Sequence, residues 1–76
     1  MKLTGEIIQF LRFTRGIDQR TLARQVGIVQ SSVSKMESGR LAISPTNNNR
    51  FMKAFDLSEA DVILLFNQVQ MNKRFK

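Results

Sequence analysis

Apolar residues recur every three or four positions in five short segments of the chain, which places them on one face of an α-helix. In the first segment, for example, Ile7, Ile8 and Leu11 share a face. The pattern predicts an all-α fold in which five helices form a compact bundle, and the length of 76 residues predicts a single domain, residues 1–76. The predicted helices span residues 5–15, 19–26, 30–37, 45–55 and 59–72.

The residues at the ends of these segments are types that begin and end helices. Thr4, Asp18 and Ser44 are predicted N-caps, and Ser44 is followed by a proline that suits the first helical position. Ser58 and Asp61 have the spacing of a capping box. The first three helices are each followed by a glycine that can adopt a left-handed conformation and end the helix: Gly16, Gly27 and Gly39.

The fifth predicted helix is apolar around more than one face and therefore needs burial on two sides. One side can face the core of the domain. The other side either contacts a partner or leaves Leu64 as an ordinary exposed apolar residue. The apolar residues of this helix are Val62, Ile63, Leu64, Leu65, Phe66 and Val69.

The second and third helices are joined by a short turn that contains Gly27 and Ile28, and we expect Ile28 to be buried there. Val33 and Met36 should face inward from the third helix. Its outward positions are polar and none is acidic: Gln30, Ser31, Ser34 and Lys35. A helix, a turn with glycine and a second helix with a polar outer face form the unit that fits the major groove of DNA.

The charge of the chain is positive and unevenly distributed. Twelve Lys and Arg residues against six Asp and Glu residues give a net charge of +6. Residues 12–53 hold eight basic and two acidic side chains, whereas residues 54–72 hold three acidic side chains and no basic one. A positive field over one half of a small domain attracts polyanions such as nucleic acid, although a solvated basic surface gives the same charge pattern.

The residue inventory argues against catalysis and against metal binding. The chain has no His and no Cys, so it lacks an imidazole base, a Ser-His or Cys-His pair and an ordinary zinc site. Asp56, Glu59 and Asp61 are close in sequence, but this is typical of a helix start. We therefore expect no enzyme activity, no metal and no cofactor.

No run of about 18 apolar residues and no apolar N-terminal stretch with a cleavage site is present, so neither a membrane span nor a signal peptide is expected. We expect a cytoplasmic protein.

A longer string of residues at fixed spacing sharpens the interpretation of the central helices. It comprises Arg12, Gly16, Ile17, Asp18, Gln19, Leu22, Ala23, Val26, Gly27, Ile28, Gln30, Ser31, Val33, Ser34, Lys35, Met36, Glu37, Ser38, Gly39 and Arg40. This string resembles the Cro/repressor-type helix-turn-helix family, which includes the lambdoid phage repressors and many small regulators of the XRE type. The resemblance covers roughly residues 5–66 and implies a lambda-repressor-like DNA-binding domain with its helix-turn-helix at about residues 18–39.

The resemblance also implies roles in reading DNA. Gln19 matches a glutamine that contacts a phosphate and supports a second glutamine, here Gln30. An amide can present an acceptor and a donor together to adenine N6 and N7, which favours base reading by Gln30 over the alternative of an ordinary polar residue facing solvent. Ser31, Ser34 and Lys35 match the other groove-facing positions, and for Lys35 a guanine and a phosphate are both possible ligands.

Other matched positions imply structural and backbone-contacting roles. Arg12 and Glu37 match a pair that usually forms a partly buried salt bridge. Arg40 matches a contact to the sugar-phosphate backbone, and Ser38 is a further phosphate candidate. The first turn of the fourth helix, at Thr46, Asn47 and Asn48, offers amides to a phosphate. Four further arginines either contact phosphates or lie on the solvated surface: Arg15, Arg20, Arg24 and Arg50.

Two residues depart from the family pattern. Val29 stands where a Ser or Thr usually caps the recognition helix, and the missing cap costs about 1 kcal/mol of helix stability. Asn48 stands where the fourth helix is normally apolar.

The resemblance implies a transcriptional regulator of double-stranded DNA, most simply a repressor that binds a pseudo-palindromic operator as a homodimer. It also implies a protein that is associated with the bacterial nucleoid or encoded by a phage. The alternative is an antitoxin-like or other interaction module that binds a partner protein and autoregulates its operon. Few residues, 70–76, are left over for such a partner, which favours the first hypothesis.

Overall fold

A computed structural model of the chain describes residues 2–74, and within them it contains five α-helices. They are α1 (Gly5–Thr14), α2 (Gln19–Val26), α3 (Gln30–Glu37), α4 (Pro45–Ala54) and α5 (Glu59–Arg74). The all-α, five-helix prediction is therefore confirmed. Three helix ends differ from it, since α1 and α4 each stop one residue earlier than predicted and α5 continues two residues further.

The predicted N-caps are confirmed by their hydrogen bonds. The side chains of Thr4, Asp18 and Ser44 each accept a hydrogen bond from the backbone N–H three residues later, at 3.2, 2.7 and 3.1 Å. Before α5, Asp61 N–H donates to Ser58 Oγ at 3.2 Å and Ser58 N–H donates to Asp61 Oδ2 at 2.9 Å. This reciprocal pair is the capping box that the spacing predicts.

The C-terminal ends follow the prediction less closely. Gly27, at φ 85°, is the C-cap of α2 as predicted. The C-caps of α1 and α3 are Arg15 and Ser38, and the predicted glycines Gly16 and Gly39 follow them in the left-handed conformation, at φ 64° and 80°. Asp56 does not belong to the start of α5 as we expected. It lies in the turn after α4 with φ 51°, a conformation that a residue with a Cβ adopts at a cost.

One apolar core holds the helices together. Helix α1 packs on α3 and α5, and α2 packs on α3 and α4. Ile28, which was predicted to be buried, is only half-buried, and like Met52 it packs against the edge of this core. Within residues 2–74 the buried apolar residues are Leu3, Ile7, Ile8, Leu11, Leu22, Ala23, Val26, Val33, Met36, Phe51, Phe55, Val62 and Val69.

Two contacts fix the segment that leads into α1. A Cβ added at Gly5 would lie 1.9 Å from the carbonyl oxygen of Met36, so α1 approaches the end of α3 closely only because residue 5 is glycine. Leu3, which is buried, donates its backbone N–H to Asn48 Oδ1 at 2.9 Å. Asn48, which stands where the fourth helix is normally apolar in the family, thus fixes the segment before α1.

Helix α5 divides its apolar residues between the core and the surface. Val62 and Val69 are buried and Leu65 and Phe66 are half-buried, whereas Ile63 and Leu64 are 48% and 60% exposed. None of the helices within residues 2–74 combines the length and the apolar character needed to cross a bilayer.

Candidate nucleic-acid interface

The turn between α2 and α3 is closed by hydrogen bonds at the end of α2. Gly27 and Ile28 both donate their backbone N–H groups to the carbonyl of Ala23, at 2.8 and 3.0 Å. Helix α3 begins directly after Val29, which makes no side-chain capping hydrogen bond and is 65% exposed. The start of α3 is therefore set by the turn and by packing, because no side chain caps it.

Helix α3 has a buried face and a polar outer face. Val33 and Met36 are fully buried, so the helix is anchored by the side opposite its polar residues. Gln30, Ser31 and Lys35 are exposed and Ser34 is half-buried. Among residues 2–74, these four side chains make no hydrogen bond or ion pair with one another or with other residues, so their polar groups are available to a ligand.

Arg12 and Glu37 form a two-point ion pair that joins α1 to the end of α3. Arg12 Nε donates to Glu37 Oε2 and Arg12 Nη2 donates to Glu37 Oε1, both at 2.9 Å. The two side chains are only 12% and 3% exposed. The hydrogen bond with Glu37 raises the pKa of the Arg12 guanidinium above its usual range, although burial opposes the shift. Glu37 thus favours the charged form of the Arg12 guanidinium.

Gln19, the first residue of α2, is joined to this ion pair. Its Nε2 donates to Glu37 Oε1 at 3.2 Å, and the residue is half-buried. The resemblance to phage repressors implies that Gln19 supports Gln30. In this structure, however, no hydrogen bond within residues 2–74 joins the two glutamines, and the Gln19 amide is held by Glu37.

Two candidate phosphate contacts lie together after α3. Arg40 Nε donates to Ser38 Oγ at 3.2 Å, and Ser38 Oγ donates to the carbonyl of Lys35 at 3.1 Å. Ser38 and Arg40 are both exposed, so the remaining guanidinium N–H groups of Arg40 face solvent beside the end of α3.

The first turn of α4 offers fewer free amides than the sequence suggests. Asn47 N–H is bonded to Ser44 Oγ at 3.1 Å, and Asn48 N–H is bonded to the Ser44 carbonyl at 2.8 Å. Pro45 has no N–H. Within residues 45–48, the backbone amide left for a phosphate is that of Thr46, and Asn47 has only its side chain to offer.

Two of the four unassigned arginines serve the fold. Arg50 Nη1 donates to the carbonyl of Gly27 at 3.2 Å and so ties α4 to the helix-turn-helix. The Arg15 guanidinium lies over the ring of Phe55, 5.0 Å from its centre. Arg20 and Arg24 are exposed on α2. Sequence reasoning missed the contacts of Gln19 and Arg50 because both join residues that are far apart in the chain.

Two helices joined by a glycine turn, with an unoccupied polar face on the second helix, define a DNA-binding helix-turn-helix domain. The family model described as a helix-turn-helix domain matches residues 5–65, and the chain belongs to this family, which is found in XRE/Cro-type regulators. The resemblance stated from the sequence is thereby confirmed. No curated protein and no solved structure matches the chain.

Proposed function

We propose that the protein is a sequence-specific transcriptional regulator that represses by binding a pseudo-palindromic operator as a dimer, with residues 1–76 acting as one domain. The observation that carries this proposal is the outer face of α3, where Gln30, Ser31, Ser34 and Lys35 have no partner among residues 2–74. Amide, hydroxyl and ammonium groups on a groove-sized helix can donate to, or accept from, base edges.

The phosphate contacts are assigned to the residues around α3. Gln19, Ser38, Arg40, Thr46 and Asn47 lie at the start of α2, just after α3 and at the start of α4. Contacts to phosphates fix the position of a protein on the duplex without reading its sequence. They should therefore set the affinity and its dependence on salt.

A dimer is supported by size and by the surface of α5. A single small domain makes too few base contacts for high specificity. The longest dimension of the molecule is 32 Å, so two copies fit side by side on half-sites about 34 Å apart. Residues 62–72 of α5 carry no charge, and Ile63, Leu64 and Met71 are exposed on it, which suits a surface between two copies.

The experiment that tests this function selects binding sites from a random duplex library at fixed, near-physiological salt. Wild type should enrich a motif with two-fold symmetry. Gln30→Ala should degrade particular base pairs of that motif by about 1–3 kcal/mol each. Gln25→Ala, which removes an exposed amide from α2 at a position with no assigned DNA contact, is the matched control and should leave the motif unchanged. If wild type enriches no motif and its affinity falls steeply with salt, the protein binds only phosphates through a basic surface, which would contradict a sequence-specific regulator.

A further inference from the structure

We propose that Glu37 is a positioning residue for DNA binding, because it fixes the orientation of the Gln19 side-chain amide before the duplex arrives. This inference rests on the proposed function, in which Gln19 donates to a phosphate. It gives the buried ion pair a use that goes beyond holding α1 against α3.

The Glu37 carboxylate is itself immobilised. Arg12 holds both of its oxygens, with 2.9 Å from Nε to Oε2 and 2.9 Å from Nη2 to Oε1. Arg12 also donates from Nη1 to the carbonyl of Ile17 at 3.3 Å, which fixes the guanidinium in turn. Glu37 Oε1 then accepts its second hydrogen bond from Gln19 Nε2 at 3.2 Å. The carboxylate cannot rotate away from Gln19 without breaking the ion pair.

The chemistry of the two groups determines which end of the amide faces inward. An ionised carboxylate only accepts hydrogen bonds, so the NH₂ end of Gln19 must face Glu37. A flipped amide would place its oxygen against the carboxylate, and two acceptors would repel each other. Gln19 therefore keeps one N–H and its Oε1 for other partners, in a fixed direction.

A phosphate oxygen also only accepts, so the remaining N–H of Gln19 is the group that it needs. A side chain already held in one orientation loses less conformational entropy on binding than a free one. Gln30 differs in this respect, because its exposed side chain has no bond that would fix it within residues 2–74. Glu37 should thus raise the affinity for every duplex equally and leave the choice of sequence to α3.

The test is a double-mutant cycle measured on the duplex that wild type selects and on an unrelated duplex. Gln19→Ala should weaken binding to both by the same factor, roughly three- to tenfold for one hydrogen bond. In the Glu37→Gln background the same substitution should cost less than about twofold, since an amide at position 37 can present either an oxygen or an N–H to Gln19. Glu6→Gln is the control, because it makes the same change at an exposed carboxylate that pairs with Lys73, so the full effect of Gln19→Ala should persist.

The outcomes separate this inference from the proposed function. An equal effect of Gln19→Ala with Glu and with Gln at position 37 overturns the positioning role and leaves the regulator standing. Loss of the effect in Glu6→Gln also overturns it, because the loss of an unrelated carboxylate then has the same result. A wild type that binds no duplex overturns both proposals.

A second measurement uses the wild-type protein alone and holds even if Glu37→Gln does not fold. The side-chain NH₂ of Gln19 should exchange with solvent more slowly in NMR spectra than those of the exposed Gln68 and Gln70. It should also show a cross-peak to the side chain of Glu37. A Gln19 amide as mobile as that of Gln70 would overturn the inference.

Discussion

At the scale of single residues, the Glu37 carboxylate is 3% exposed and accepts hydrogen bonds from Arg12 and Gln19. We expect Glu37→Ala to lower the free energy of unfolding by about 3–5 kcal/mol, because it strands the Arg12 charge in a buried site. Glu6→Ala is the matched control. Glu6 pairs with Lys73, both about half exposed, and its loss should cost less than about 1 kcal/mol. Urea melts that give the two variants equal stability would contradict the buried-pair argument.

Asp18 and Asp61 make stability depend on pH in acid. The backbone N–H of Thr21 is the main cause that lowers the pKa of Asp18 below its ordinary value of 3.8, and that of Ser58 does the same for Asp61. Because the pKa values of Asp18 and Asp61 are lower in the folded state, the unfolded chain binds more protons than the folded chain as the pH falls. The stabilisation from both caps is therefore complete above about pH 4 to 5 and is lost as the pH falls through the folded values.

The double variant Asp18→Asn and Asp61→Asn tests this directly. Asparagine keeps an acceptor oxygen for each cap and does not titrate. Between about pH 5 and pH 2, the free energy of unfolding of the variant should fall less steeply than that of wild type. Parallel slopes would show that the acid sensitivity arises from other carboxylates.

Local residue chemistry was predictable, and long-range pairing was not. The N-caps depend on residues three positions apart, so the sequence alone indicates both partners. The hydrogen bonds from Gln19 to Glu37, Arg50 to Gly27 and Leu3 to Asn48 span 18, 23 and 45 positions. Nothing in a local pattern indicates which of many donors meets which acceptor at that separation.

At the scale of elements, the contact between the start of α1 and the end of α3 depends on Gly5. We expect Gly5→Ala to destabilise the protein by about 1–3 kcal/mol or more, because α1 must move away from the Met36 carbonyl. Gly16→Ala is the control for a different cause. Gly16 has φ 64° and open space around it, so alanine there meets backbone strain of about 1–2 kcal/mol and no clash.

Asparagine variants distinguish the two causes. Asn tolerates the left-handed conformation, so Gly16→Asn should recover much of the stability that Gly16→Ala loses. Gly5→Asn should be at least as damaging as Gly5→Ala, since it also places a Cβ against the Met36 carbonyl. Thermal melts of the four variants provide the measurement, and recovery at position 5 would contradict the steric explanation.

Helix starts were predicted more accurately than helix ends for a physical reason. A start is marked by a capping residue, whereas an end can be moved by contacts from elsewhere in the fold. Helix α5 continues past its predicted end at residue 72, and Lys73 there pairs with Glu6 of α1. Helix α3 forms without a side-chain cap at Val29, because Val33 and Met36 are fully buried. In both places tertiary contacts outweigh local preference.

At the scale of the whole molecule, the prediction concerns the outer face of α5. Leu64 is 60% exposed, so Leu64→Glu should leave the melting temperature of the monomer nearly unchanged. It should weaken self-association at least tenfold if α5 joins two copies, because a charge is then buried in an apolar contact. Gln25→Glu adds the same charge on an exposed position of α2, outside α5, and serves as the control. Sedimentation that shows equal association for all three proteins would contradict a dimer through this face.

The overall architecture was predictable because five short amphipathic segments with clear starts leave few ways to build a core. The sequence did not indicate which face of α5 would be exposed. Its apolar residues surround the helix, and the packing of α1 on α5 decides that Val62 and Val69 lie inside while Ile63 and Leu64 lie outside.

The hydrogen bond from Leu3 to Asn48 also has a consequence for the order of events during synthesis. It encloses α1, α2 and α3, so the whole helix-turn-helix lies between its two partners. A chain leaves the ribosome from its N-terminus, at about 5–20 residues per second. A nascent chain that has reached residue 40 already contains the complete DNA-reading unit, but not the amide that secures Leu3. Leu3, which is made before the helix-turn-helix, is thus fixed only after the first turn of α4 has emerged.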